Sequence, residues 1–278
     1  MAVAGTVLGK QPFIRNYEIP GIDGAPVVCD IYHPPSEGLR PACVFVHGGG
    51  FTGGDKDQFL GAASWLALCT GAVVVTVQYR TAGRAAYPAP IIDCLSVFQW
   101  IWNNRRELKV EPSRVFAAGG SPGANIAAMA MMADDEFLNR YLPGAGKLFR
   151  PAAGIFLNGI YDLVEFYEKN PQEQDNVNAY LDRVEFEEEL WREASPVNHM
   201  RSGLRVLMLH GSEDSVVSPT QCEEMKRRLE ANGSSADIKI FKGQQHAWFN
   251  EQENLYEVLA EIKAFMENSR NEVSSHGA

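Results

Sequence analysis

Short runs of consecutive apolar residues alternate along most of the chain with longer stretches whose apolar positions recur every three or four residues. The runs at 42–46, 72–77, 115–118, 154–157, 205–210 and 237–241 read as strands covered on both faces. Between them, 57–69, 91–106, 122–132, 219–231 and 251–268 carry helical spacing. Two more strands are expected at 13–19 and 27–32, ahead of the alternation. Strands that alternate with helices rather than closing into hairpins predict a mostly parallel central sheet flanked by helices, an α/β fold built as one domain over 1–278.

One stretch departs from this rhythm. Residues 162–199 are rich in Glu, Asp, Asn and aromatics, show no strand pattern, and are too long for a plain connection. They are expected to fold as helices over the sheet edge, as a cap insertion rather than a mere surface excursion. Residues 269–278 are polar and expected to fray.

Composition narrows the function classes. A hydrophobic fraction of 45% supports a full core, and a formal charge of −10 with no dense Lys/Arg patch argues against nucleic acid or anionic membrane as partner. No apolar run approaches 18 residues, so no membrane span is expected, and residues 1–10 lack the pattern of a secretory leader. The five cysteines, Cys29, Cys43, Cys69, Cys94 and Cys222, are odd in number and widely spaced. They are expected as buried free thiols in a reducing compartment, which points to the cytoplasm. Self-association as a homodimer is compatible with these features. No spacing suits zinc and no Gly-rich loop ends in Lys-Ser/Thr, so neither metal nor nucleotide cofactor is expected.

The chemistry concentrates around Val115–Gly123, where an apolar strand runs through Gly119-Gly120-Ser121-Pro122-Gly123 into a helical stretch. This is the form of a nucleophile elbow, a sharp strand-to-helix turn that presents the Ser121 hydroxyl. Upstream, the strand at 42–46 ends in His47-Gly48-Gly49-Gly50-Phe51, the form of a loop whose N–H groups face an oxyanion. A serine hydroxyl needs a base to take its proton. Of six histidines (His33, His47, His199, His210, His246 and His276), His246 stands alone in a loop after the last strand and before the last helix, where the base belongs in the order Ser, acid, His. Asp214, just past a carboxyl strand end, is the favoured carboxylate to orient that imidazole; Glu213 and Asp162 are rivals.

Gly49 and Gly50 can meet the oxyanion with two main-chain N–H groups. A third donor ordinarily comes from the residue after the nucleophile. Here that residue is Pro122, which has no N–H, so weak or selective ester cleavage is expected. Phe51, Tyr79, Tyr161, Trp248 and Phe249 adjoin these loops. Phe51 and Trp248 are read as walls of a substrate pocket, with core packing the alternative.

Together with Tyr79-Arg80, the stretch Tyr87 to Asp93, Pro112 to Val115, Gly211 to Asp214 and His246 to Phe249, these motifs resemble the α/β-hydrolase fold carboxylesterases of the hormone-sensitive-lipase-like group over residues 16–265. The stretch Leu157 to Leu163 is also similar to arylformamidases of the kynurenine type, which split an N-formyl amide. The resemblance implies a cofactor-free serine hydrolase of small to medium neutral carboxylic esters or small amides, with Ser121, His246, Asp214, Gly49 and Gly50 in the family's roles. Pro122 departs from the family pattern. The N-terminal region is also shorter, so the cap must come mainly from 162–199. A biosynthetic use of the same site, in acyl transfer or cyclisation, is the competing expectation, and a ligand receptor on the same scaffold is a third.

Overall fold

The computed structural model describes residues 11–35 and 37–275, with side chains through 268. Among these, eight strands form one sheet: β1 (Phe13–Ile19), β2 (Val27–Tyr32), β3 (Arg40–Val46), β4 (Val73–Gln78), β5 (Val110–Gly120), β6 (Ala153–Leu157), β7 (Arg205–Gly211) and β8 (Ser235–Phe241). Their order across the sheet is β1-β2-β4-β3-β5-β6-β7-β8. β2 is antiparallel to both β1 and β4, and every pair from β4 to β8 is parallel. The chain leaves β3 toward β4 on one side and returns to β5 on the other, so β3 and β5 flank the point where the winding reverses. Ligands gather outside the carboxyl ends of strands at such a point.

The helices are α1 (Leu60–Thr70), α2 (Ala89–Asn104), α3 (Pro122–Met132), α4 (Asp135–Tyr141), α5 (Leu163–Lys169), α6 (Gln174–Leu181), α7 (Glu188–Glu193), α8 (Thr220–Ala231) and α9 (Gln252–Ser275). Side chains along β3 divide by the two-residue strand period. Ala42, Val44 and Val46 face the core on the α2 and α3 side, whereas Cys43 and Phe45 face the core on the α1 and α9 side. Covered on both faces, the strand reads as unbroken hydrophobicity. α3 is buried at all eleven positions, Met129, Met131 and Met132 included, which is why its sequence lacks a polar face. Asp93, on α2, accepts from Arg80 N at 2.7 Å and pairs with its guanidinium, holding the loop after β4.

The α/β arrangement expected from the apolar pattern is present, with four differences. β5 begins at Val110, five residues earlier than expected, because Val110 pairs with Arg40 across an irregularity that tolerates Pro112. α4 is short and mostly polar, and is started by Asp134 accepting from Phe137 N at 2.8 Å. Seven residues leave little periodicity to read. Cys69 is exposed while the other four cysteines are buried, since it lies on the outer side of α1 near its end. α9 continues to Ser275, so the expected fraying from 269 does not describe that stretch. Residues 276–278, and residues 1–10 where a leader was considered, lie outside the described residues. No helix among the described residues is long and apolar enough to cross a membrane.

Residues 162–199 fold as α5, α6 and α7 with short turns between them. Asp162 starts α5 by accepting from Val164 N and Glu165 N. The segment is tied to the body of the fold by Tyr87 N donating to Tyr180 O at 2.7 Å, Val197 N to Tyr161 O at 3.1 Å, and the buried Asn125 amide donating to Ile160 O and Ala194 O.

Candidate active site

Ser121 stands between β5 and α3 with φ 54° and ψ −124°, a conformation that costs a non-glycine residue about 1–3 kcal/mol and recurs where a side chain must be thrust forward. The surroundings enforce it. Ser121 N donates to Leu157 O at 2.8 Å, and Gly123 approaches β3 so closely that a Cβ there would fall 2.1 Å from Val46 O. Pro122 occupies the first helical position, where a missing N–H breaks no helical bond.

Ser121 Oγ lies 2.9 Å from His246 Nε2, and His246 Nδ1 lies 2.8 Å from Asp214 Oδ2. The carboxylate requires a proton on Nδ1, which leaves the Nε2 lone pair facing the serine hydroxyl. Neither rival acid competes for this place. Asp162 is engaged at the start of α5, and Glu213 is exposed. Among the other histidines, His47 is buried and stacked on Tyr79 at 4.2 Å, and burial keeps its pKa below the ordinary value.

Two residues not anticipated in this site converge on Asp214. Asn158, just past β6, is fully buried with φ 46°, and its Nδ2 donates to Asp214 Oδ2 and lies 3.3 Å from His246 Nδ1. His210, on β7, places Nε2 3.2 Å from the same carboxylate oxygen and 2.9 Å from Val217 O, with Nδ1 3.2 Å from Cys222 Sγ. Asp214 Oδ1 accepts from Val216 N and Val217 N, both at 2.9 Å. A strand-end asparagine beside the strand carrying the acid is the signal that could have drawn attention to Asn158.

These contacts decide the charge states. Burial alone would raise the Asp214 pKa, but His210, His246 and the Val217 N–H reverse this and hold it well below 3.8. Burial alone would lower that of His210, but Asp214, Cys222 and Val217 O push it up to about 10. A raised histidine pKa contributes stability that is complete below its ordinary 6.5 and is lost as pH rises through about 10. The lowered Asp214 pKa contributes stability present above 3.8 and lost as pH falls through the folded-state value. The melting temperature is therefore expected to decline between pH 6.5 and about 10, and His210→Gln to flatten that decline. Parallel melting curves for the two proteins over this window would show that the pair contributes no such dependence.

Gly49 has φ 118°, open to glycine alone at low cost, and a Cβ there would fall 2.5 Å from Gly53 O. Gly48 N donates to Gln58 Oε1 at 2.7 Å, whereas the N–H groups of Gly49 and Gly50 have no protein acceptor among the described residues. Thr52 Oγ1 donates to Asn176 Oδ1 at 3.1 Å, joining this loop to α6. A cavity of about 240 Å³ is lined by Gly49, Gly50, Ser121 and His246 together with Phe51 and residues of α5 and α6. Phe51 is stacked on Tyr180 at 4.1 Å. Trp248 does not reach this cavity: it is buried against Phe241 and Phe249 because the turn after His246 directs it into the sheet core. Phe249 is the aromatic of that turn that lines the site.

A family model described as BD-FAE matches residues 29–229, and one described as the dienelactone hydrolase family matches residues 193–270. The carboxylesterase NlhH of Mycobacterium tuberculosis is 40% identical over 123 residues, which is 44% of this chain and 38% of that protein. Esterase LipI of the same organism is 36% identical over 124 residues, 43% of this chain and 38% of that protein. The chain thus spans about two fifths of the length of these curated relatives. In fold, it is similar to a hyperthermophilic esterase from the archaeon Pyrobaculum calidifontis, with a TM-score of 0.75, 24% identity, and coverage of 94% of this chain and 88% of that one.

Proposed function

The chain belongs to the BD-FAE family, and on that footing we propose that it is a serine carboxylesterase acting on small to medium neutral esters through an acyl-enzyme. The observation that carries the reading is the run of contacts from Ser121 Oγ through His246 to Asp214, at 2.9 and 2.8 Å, opening on a cavity floored by Gly49 and Gly50. Esterase names among the relatives support it.

His246 Nε2 takes the hydroxyl proton as Ser121 Oγ attacks the ester carbonyl. Asp214 holds the resulting imidazolium through Nδ1–H. The tetrahedral oxyanion lies against Gly49 N–H and Gly50 N–H. Collapse expels the alcohol, which takes the proton from His246. Water, deprotonated by the same imidazole, then attacks the acyl carbonyl, and a second collapse releases the acid and restores Ser121. α5 and α6 act as the cap that shields this sequence from bulk solvent. The enzyme works in a reducing compartment, the cytoplasm, where an exposed free thiol such as Cys69 persists.

The test is an ester mixed with enzyme in excess, followed in H₂¹⁸O. Expected are release of alcohol ahead of the acid, an acyl mass adduct at Ser121, and one ¹⁸O in the released acid. An acyl group handed to an acceptor other than water, with no labelled acid released, would instead favour the biosynthetic use of the site.

Pro122 leaves the oxyanion two donors where three are usual. Removing one donor elsewhere slows catalysis by roughly 10²–10³-fold. Pro122→Ala supplies the N–H at a position already helical, and single-turnover acylation is expected to accelerate about tenfold or more. An unchanged rate in a folded variant would mean that two donors suffice.

A further inference from the structure

A second hollow, of about 170 Å³, lies against the site cavity on the α1 and α9 side of the sheet. Phe59 and Ala62 form one wall, Leu157 the floor, and Val258, Leu259 and Ile262 of α9 the other wall. Among the described residues, no charged side chain lines it. Gln58 and Phe249 line both this hollow and the site cavity, so they form the partition between the two. Gln58 is engaged, its Oε1 accepting from Gly48 N.

Phe249 fills the rest of the partition. Its ring is 3% exposed, lies parallel to Phe59 at 6.0 Å, and reaches Gly120, the residue before the nucleophile, where a Cβ would stand 2.6 Å from Phe249 Cζ. The ring therefore lines the same cavity as Ser121, with the apolar hollow behind it.

We propose that Phe249 is the chain-length stop of the site: an alkyl group on the ester ends at its ring, and the hollow behind is an apolar chamber that becomes continuous with the site when the ring is removed. This rests on the serine-esterase reading, which it deepens by naming short-chain alkyl esters as the substrates. The alkyl group belongs to the acyl half or to the alcohol half, and the two sources are separable. Each methylene that enters an apolar chamber improves kcat/KM about fourfold.

The experiment measures kcat/KM on two series, p-nitrophenyl esters from acetate to decanoate and alkyl acetates from methyl to octyl. Wild-type protein should lose efficiency beyond short chains. In Phe249→Ala, the ratio of long-chain to acetate kcat/KM should rise by about fourfold per methylene admitted, in one of the two series, which identifies the half of the ester that lies there. Phe249→Leu should show a smaller rise in the same series and covers the case in which the alanine variant does not fold. Ala62→Phe, which fills the chamber, should leave the wild-type length profile unchanged and cancel the gain when combined with either Phe249 variant.

An unchanged ratio in both series, in a folded Phe249 variant that still cleaves esters, overturns the stop while leaving the esterase reading intact. A shortened profile in Ala62→Phe alone also overturns it, since wild-type chains would then already occupy the chamber. Wild-type protein that cleaves neither series overturns the underlying reading, and this one with it.

Discussion

Ser121→Ala is expected to lower kcat on a p-nitrophenyl ester by about 10⁶-fold, the scale seen when a triad nucleophile is removed. The change deletes one oxygen, whose partner is His246 Nε2 at 2.9 Å. Nothing in the packing around Gly119, Pro122 or Gly123 depends on that oxygen, so the melting temperature should move by no more than about 2 °C. Alanine retains the positive φ of the elbow, and the strain stored there is unchanged. What survives should be the modest acceleration due to the main-chain donors and binding alone. Steady-state kinetics with scanning calorimetry checks both halves. A residual activity within a hundredfold of wild type would remove Ser121 from the role of nucleophile.

Asp214→Asn is expected to act on catalysis and stability together. The amide oxygen can still accept from Val216 N and Val217 N. Its NH₂ group must then face Asn158 Nδ2, His246 Nδ1 and His210 Nε2, all of which act as donors to the carboxylate. His246 loses the acceptor that selects its tautomer, and kcat should fall about 10⁴-fold. His210 loses its buried counter-charge, and breaking such a pair from one side costs about 3–5 kcal/mol. The high pKa of His210 depends on the same carboxylate, so its contribution to the alkaline decline in stability should vanish as well. Denaturant unfolding of the variant beside wild type, with kcat measured on the same preparations, separates the two effects. Full stability with lost turnover would mean that His210 is held by other partners.

The same carboxylate shows how much of the site was legible beforehand. That Asp214 follows a strand end could be read from the apolar run before it, but Glu213 follows the same strand and Asp162 follows another. The choice among them rests on which carboxylate meets an imidazole 32 positions away. Asn158 lies within the stretch Leu157 to Leu163, whose likeness assigned it no role. Its part emerges from lateral hydrogen bonds at the strand ends, Ser121 N to Leu157 O and Asn158 N to Leu209 O, which set nucleophile and amide in one row. The exchange of Trp248 for Phe249 as the aromatic at the site has a local cause, because the turn after His246 sends the first ring into the core and the second toward Gly120.

By itself the sequence determined the layered α/β fold, the turn at Ser121 and the glycine loop at 48–50. Each of these is written in short-range terms: a two- or four-residue period, or glycine and proline where the backbone must turn or approach closely. Only the tertiary structure decided that Asp214 is the carboxylate beside His246, that Asn158 and His210 share it, and that Phe249 stands between two cavities. Those are contacts between residues tens of positions apart, brought together by the parallel stacking of strands whose carboxyl ends all open on one edge, and local pattern holds no record of which side chains meet there.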